Sequence, residues 1–287
     1  MKSTARKIIL GTTGALMTFL LFGCANRFFY YPDRAIYQTP KNTGLAFEEV
    51  SFASSDGTKL SGWFIPAVGR AKGTVVHFHG NAQNMTAHFS FVSWLPPHGY
   101  NLFMFDYRGY GKSAGRPARQ GVFEDCAAAL DCVRARPDID PKKLIVFGQS
   151  LGGANAIAVL GEDANAARGV CGIAIDSTFY SYRLIVRDKI KQIPVLSLLR
   201  RPLSYIVVSN AHSPADAVAK LPAGVPKLFM HGKKDAVIPF EHTQKLFAAA
   251  TEPKEILLAD DCNHTEAVVK SAAYRDALLD FFDRATR

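Results

Sequence analysis

No two of the five cysteines (Cys24, Cys126, Cys132, Cys171 and Cys262) stand in Cys-x-x-Cys spacing, and nothing in their placement specifies a disulfide. Cys126 and Cys132, six apart on one predicted helix, face different ways, so buried free thiols are expected. The chain has no internal repeat, no low-complexity tract and no RNA- or DNA-binding motif. Its formal charge of +9 falls to +6 once Lys2, Arg6 and Lys7 are set aside. An excess of that size suits contact with anionic lipid or plain solubility, and no nucleic-acid partner is expected. Residues 1–23 contain no acid, and the uncharged run from Ile8 to Phe22 covers 15 residues, short of the ~20 that a membrane-spanning helix needs. What is present is a chain of 287 residues, 48% hydrophobic, with no disorder signature and ample length for one large globular domain.

A basic start and a short apolar run fit a signal peptide over residues 1–23. The run ends Leu21-Phe22-Gly23-Cys24, which resembles a bacterial lipoprotein lipobox. That resemblance implies a diacylglyceryl group on Cys24, cleavage before it and acylation of the new amine. The protein would then be a membrane-anchored lipoprotein of the bacterial cell envelope, facing the periplasm. Several acyl chains hold far more firmly than one, since each buried CH₂ contributes ~0.8 kcal/mol. Phe22 departs from the small or hydroxyl residue usual there, and an uncleaved N-terminal anchor is the other reading. Ala25 replaces the Asp that often follows the cysteine of inner-membrane lipoproteins, which allows sorting to the outer membrane. Residues 24–45, tyrosine-rich from Phe28 to Pro40, read as a membrane-proximal linker or a strap on the domain that follows.

That domain spans residues 46–287. Two strand-like runs, 47–52 and 59–65, flank Ser55-Asp56-Gly57-Thr58 and predict an antiparallel hairpin. Buried strands are expected over 74–79 and 101–105, with a helix over 84–94 between them. Val122, Phe123, Cys126, Leu130 and Val133 mark an amphipathic helix within 119–136. Strands then alternate with helices: 143–147, a helix from Leu151, 169–175, 226–230, a helix over 240–249, 255–258, and a final helix from His264 to Arg284. Apolar strands without period-two polarity imply a mostly parallel sheet covered on both faces. The expected fold class is therefore α/β, with about eight strands in one twisted mixed sheet. Residues 178–222 interrupt the rhythm with some forty residues, a length suited to a lid.

The sharpest motif is Gly148-Gln149-Ser150-Leu151-Gly152, which joins a strand to a helix without a loop. So abrupt a turn strains the serine, and a β-carbon two residues to either side would meet backbone. The hydroxyl is thereby presented at a helix N-terminus, where free N–H groups favour developing negative charge. A serine hydroxyl needs a base, and the base an orienting acid. Asp235 follows one strand and His264 another, and the order Ser150, Asp235, His264 is the one expected with such an elbow.

With these residues the chain resembles the α/β-hydrolase-fold serine hydrolases, in particular the small-lid group around the ABHD17-type and Bem46-like proteins and the serine aminopeptidase S33 type. The matching stretches are His77-Phe78-His79-Gly80-Asn81-Ala82-Gln83-Asn84, Asp106-Tyr107-Arg108-Gly109-Tyr110-Gly111-Lys112-Ser113, Gly148 to Gly153, Gly232 to Pro239, and Asn263-His264. The resemblance implies Ser150 as nucleophile, His264 as base and Asp235 as its orienting acid. It also implies an oxyanion hole from the backbone N–H groups of Leu151 and Asn81. No cofactor and no metal are implied. The substrate would be a small-molecule or lipid ester or thioester, cleaved through an acyl-enzyme. A peptidase of the serine-aminopeptidase type and a non-catalytic binding protein of the same fold are the alternatives. Asn263 stands where glycine commonly precedes the histidine.

Several residues compete for these roles. Asp176 is a rival acid. Asp260 and Asp261 read as surface residues, Asp106 and Arg108 as a local loop-building pair, and His77, His79, His231 and His242 as structural or exposed. Within the lid, Arg183, Arg187, Lys189, Lys191, Arg200 and Arg201 face the single acid Asp188, interleaved with apolar residues. Such a mixture suits an anionic membrane surface. The preferred reading is a cap whose apolar side packs over the pocket while its basic side is solvated.

Overall fold

The computed structural model describes residues 29–287; the expected signal segment and Cys24 lie outside the described residues. Strands β1 (Tyr31–Pro32), β2 (Glu48–Ala53), β3 (Lys59–Ile65), β4 (Gly73–Phe78), β5 (Ala82–Gln83), β6 (Tyr100–Asp106), β7 (Leu144–Gln149), β8 (Val170–Asp176), β9 (Lys227–Gly232) and β10 (Lys254–Ala259) follow in order. Eight of them form one sheet in the order β10-β9-β8-β7-β4-β6-β3-β2. Pairing is parallel from β10 through β6 and antiparallel for β3 and β2. The mixed eight-stranded sheet is the one expected.

Helices α1 (Met85–His88), α2 (Arg119–Arg134), α3 (Leu151–Glu162), α4 (Tyr182–Lys191), α5 (Arg200–Val207), α6 (Pro214–Ala217), α7 (Glu241–Ala249), α8 (Ala267–Lys270) and α9 (Ala272–Ala285) complete the fold. Successive strand residues face opposite ways, so the sheet separates two apolar clusters. Val76, Phe103 and Val146 join Val122, Leu130 and Ile157 on one side. Their strand neighbours Val75, Leu102 and Ile145 join Leu278 and Phe282 on the other. Burying both faces is what makes β4, β6, β7 and β9 uninterruptedly buried.

Three local expectations change. The helix expected over 84–94 is α1 followed by a 3-10 turn, Phe89–Phe91. Phe89, Val92 and Leu95 are fully buried, a spacing of three that matches three residues per turn rather than 3.6. The final helix begins only after His264, because Thr265 takes a left-handed φ of 53° and redirects the chain. Arg108 does not pair with Asp106. It reaches Asp125 and Asp56, each at 2.8 Å, and so ties β6 to α2 and to the hairpin turn.

Residues 29–45 lie against the domain. β1 pairs with β5, and Tyr30 is buried in the first cluster. The stretch between β8 and β9 carries α4, a 3-10 turn Pro194–Leu199, α5 and α6. Among the described residues no helix is long and apolar enough to cross a membrane.

Candidate active site

Ser150 links β7 to α3 with φ 54° and ψ −119°, a conformation L-residues hold only when their surroundings enforce it. A β-carbon on Gly152 would lie 2.0 Å from the Phe78 carbonyl oxygen, and one on Gly148 would lie 2.7 Å from the Gly153 Cα. Both positions therefore need glycine. The Ser150 N–H donates to the Asp176 carbonyl at 2.8 Å, and its carbonyl accepts from Thr178 Oγ1 at 3.0 Å. Three of the five non-glycine residues with positive φ among the described residues, Ser150, Ser177 and Thr265, cluster here.

The structure brings Ser150, His264 and Asp235 together. His264 Nε2 lies 2.9 Å from Ser150 Oγ, and His264 Nδ1 lies 2.7 Å from Asp235 Oδ2. A carboxylate oxygen only accepts, so Nδ1 carries the proton and Nε2 presents its lone pair to the hydroxyl. The Asp235 Oδ1 accepts the N–H groups of Val237 and Ile238, both at 2.8 Å. Burial alone would raise the Asp235 carboxyl; donors from His231 and His264 outweigh it and hold the group well below the usual carboxylate range.

The rival acid has other partners. Asp176 Oδ2 accepts from Gln149 Nε2 at 3.0 Å and its Oδ1 from Ser177 Oγ at 2.9 Å. His77 Nε2 in turn meets Gln149 Oε1 at 3.1 Å, while the Thr265 N–H donates to Ser177 Oγ at 3.1 Å. A buried row from His77 to Thr265 thus runs beneath the site, joining the neighbour of Ser150 to the neighbour of His264. Burial, the larger effect, pushes the His77 imidazole down to about 3, so it sits there neutral. Asp260 and Asp261 pair outward with Lys233 and Lys234.

Leu151 opens α3, where a backbone N–H has no acceptor within the helix. Asn81 follows Gly80, whose β-carbon position is 3.6 Å from Ser150 Cβ. Its side-chain oxygen accepts from the Tyr31 N–H at 3.0 Å and the Tyr110 hydroxyl at 3.2 Å. The segment at 29–45 thereby helps to hold this loop beside the serine.

His231, read from the sequence as structural or exposed, is a buried partner of Asp235 at 3.0 Å. The available signal was its place at the end of β9, four residues before the acid. His242 accepts the Tyr180 N–H at Nδ1, 2.8 Å, and donates from Nε2 to Asp188, 2.9 Å, which ties α7 to α4. The lid departs from the preferred cap at its tip: Ile185 of α4 is buried in the first cluster, whereas Val195, Leu196, Leu198 and Leu199 are exposed. The short Pro194–Leu199 turn has no buried residue, so its apolar side chains have no surface of the domain to cover.

Comparison with known proteins places this site in a family. The family described as serine aminopeptidase, S33, matches residues 69–220, which holds Ser150 and four of the eight strands of the sheet, β4, β6, β7 and β8. An uncharacterised Escherichia coli K12 protein, YfhR, is 40% identical over 273 residues, 93% of this chain and 90% of its own. The chain belongs to the serine aminopeptidase S33 family of α/β hydrolases. A Saccharomyces cerevisiae relative named as an uncharacterised membrane protein, YNL320W, is 27% identical over 96% of this chain and 95% of its own length. Among solved structures, the Pyrococcus furiosus esterase Pf2001 superposes with a TM-score of 0.72, covering 90% of this chain and 100% of that one at 22% identity. That likeness bears on the fold, an α/β-hydrolase fold. The S33 membership makes the protein a hydrolase.

Proposed function

We propose that this S33 hydrolase is a serine hydrolase that cleaves carboxylic esters or thioesters through a covalent acyl-enzyme. One observation carries the reading: the hydroxyl of Ser150, the imidazole of His264 and the carboxylate of Asp235 are hydrogen-bonded in series at 2.9 and 2.7 Å. Ser150 Oγ attacks the acyl carbon as its proton passes to His264 Nε2. The same imidazole then protonates the departing alcohol or thiol, and Asp235 stabilises the imidazolium between the two steps. Water, deprotonated by His264, releases the acid. The N–H groups of Leu151 and Asn81 meet the oxyanion, and each such donor typically lowers the barrier by ~3 kcal/mol.

The family description favours a second reading, a peptidase acting on aminoacyl amides. Recognition of a peptide amine calls for carboxylates near the pocket, whereas the lid carries six basic residues against Asp188 between residues 183 and 201; esters and thioesters fit better. Cys24 supplies the membrane tether of this reading, in line with the membrane designation of the yeast relative.

A fluorophosphonate probe tests the nucleophile. Wild type is expected to be labelled and Ser150→Ala not. Equal labelling of the two, or none of wild type, points to a non-catalytic binding protein. Both Ser150→Ala and His264→Ala should abolish p-nitrophenyl ester hydrolysis in folded protein. Graded esters, thioesters and aminoacyl amides then separate the two enzymatic readings.

A further inference from the structure

The outer tip of the lid, the Pro194–Leu199 turn with the adjoining α5, is apolar and stands in solvent. Val195 is 85% exposed and Leu198 90%, with Ile193, Leu199, Tyr205 and Ile206 about half exposed. Scattered exposed leucines are ordinary; six such side chains within fourteen residues make a patch that marks an interaction site.

Along this stretch of chain the charge has one sign. Lys189, Lys191 and Arg201 are exposed, and no Asp or Glu occurs between Asp188 and Asp216. Asp188 itself is engaged by His242. Arg183 and Arg187 lie against the Tyr205 ring, at 4.3 and 5.4 Å from its centroid, and so stay beside the patch. Apolar residues ringed by unneutralised cations match the boundary between acyl chains and anionic headgroups.

Chain connectivity limits how far Cys24 can stand from the same surface. Phe29 packs edge-on against Tyr182, with centroids 5.0 Å apart, and Tyr182 is the first residue of α4. Phe29 stands five positions after Cys24, a span of at most about 18 Å. At ~1.5 Å per residue, the far end of α4 stands about 15 Å from Tyr182. A bilayer that anchors Cys24 is therefore within reach of the lid tip.

We propose that the lid tip docks on the surface of an anionic phospholipid bilayer. Val195 and Leu198 enter the boundary between headgroups and acyl chains, and Lys189, Lys191 and Arg201 meet the lipid phosphates. The argument on reach rests on the Cys24 tether; the exposed patch and its charge do not.

The test uses the full chain on vesicles of phosphatidylcholine with or without phosphatidylglycerol, and bilayer-buried brominated lipid as tryptophan quencher. Leu198→Trp is expected to shift to the blue and be quenched in the anionic vesicles, well beyond the wild-type background. Asp280→Trp, at an exposed position of α9, is expected to stay at background. Adding Lys189→Glu, Lys191→Glu and Arg201→Glu should abolish the quenching. Equal quenching with and without phosphatidylglycerol overturns the proposal. So does a blue shift without vesicles that brominated lipid leaves unquenched, which would place the N-terminal run or a second copy on the patch. Flotation separates the two failures. Loss of flotation in Cys24→Ala reports on the tether, whereas a floating Leu198→Trp chain that stays unquenched refutes lid docking. None of these readouts depends on hydrolysis.

Discussion

His231 Nε2 lies 3.0 Å from the same Asp235 oxygen that receives the His264 imidazole. Its Nδ1 meets Thr243 Oγ1 at 2.6 Å, and its Nε2 also meets the Ile238 carbonyl at 2.9 Å. Two acceptors at Nε2 require the proton there, so His231 is a second donor to the acid. His231→Phe keeps the bulk and removes the donor. A hydrogen bond to a charged group contributes ~1.5–3 kcal/mol, so we expect kcat to fall at least about tenfold with KM little changed. The Asp235 carboxyl, held below its ordinary 3.8, contributes stability that is present above that value and lost as pH falls through the folded-state value. The gap in urea stability between wild type and His231→Phe should then be widest above about pH 4 and close in acid. A gap independent of pH would show that His231 only fills space.

Asp176 is expected to position both ends of the site without touching substrate. In Asp176→Asn one amide N–H must face the Gln149 amide or the Ser177 hydroxyl, leaving a buried donor unsatisfied at ~1–3 kcal/mol. Strain at Ser150 and at Thr265 is held by this row of bonds. The prediction is a roughly tenfold lower kcat at unchanged KM, together with a lower melting temperature. Full kcat at a lower melting temperature would reduce Asp176 to a core residue.

The elbow is the part of the site most plainly readable from sequence, since Gly148 and Gly152 are required by backbone contacts that any strand-to-helix reversal of this kind imposes. The sheet and the order of Ser150, Asp235 and His264 were legible for the same reason: buried strands leave continuous apolar runs, and each of these residues follows one. The row His77–Gln149–Asp176–Ser177 was not, because it joins β4, β7 and β8 through side chains far apart in the chain. Nor was the exposure of the lid tip, because an apolar run carries no mark of whether a surface exists to cover it. Asp106 and Arg108 misled for a related reason; proximity in sequence suggested a pair, whereas Arg108, past the end of β6, meets Asp125 and Asp56, both distant in the chain.

Gly152→Ala should be among the most damaging single-methyl additions in the chain. Its β-carbon would lie 2.0 Å from the Phe78 oxygen and 2.5 Å from that of His79, both backbone atoms that cannot rotate away. Overpacking costs typically ~1–3 kcal/mol, and rigid contacts this close belong at or above the upper end. The expected outcome is insoluble protein, or soluble protein that fluorophosphonate does not label. A variant that melts and labels like wild type would mean the elbow can relax.

Burial pushes the Asp106 carboxyl, at the end of β6, up to about 7. It lies 3.5 Å from His79 Nε2 and accepts the Met85 N–H at 2.7 Å, so it is held where water does not solvate its charge. Above its unfolded value of 3.8 the unfolded chain releases this proton more readily than the folded one. Stability is therefore lost as pH rises from about 4 to 7, and the penalty is constant beyond. At ~1.4 kcal/mol per unit, that amounts to a few kcal/mol. Asp106→Asn keeps an oxygen for the Met85 N–H and removes the titration. Urea unfolding across this window should show wild type weakening relative to the variant, with the variant more stable above neutrality. Curves that stay parallel from acid to alkaline pH would mean that the carboxyl ionises in the fold as it does in water.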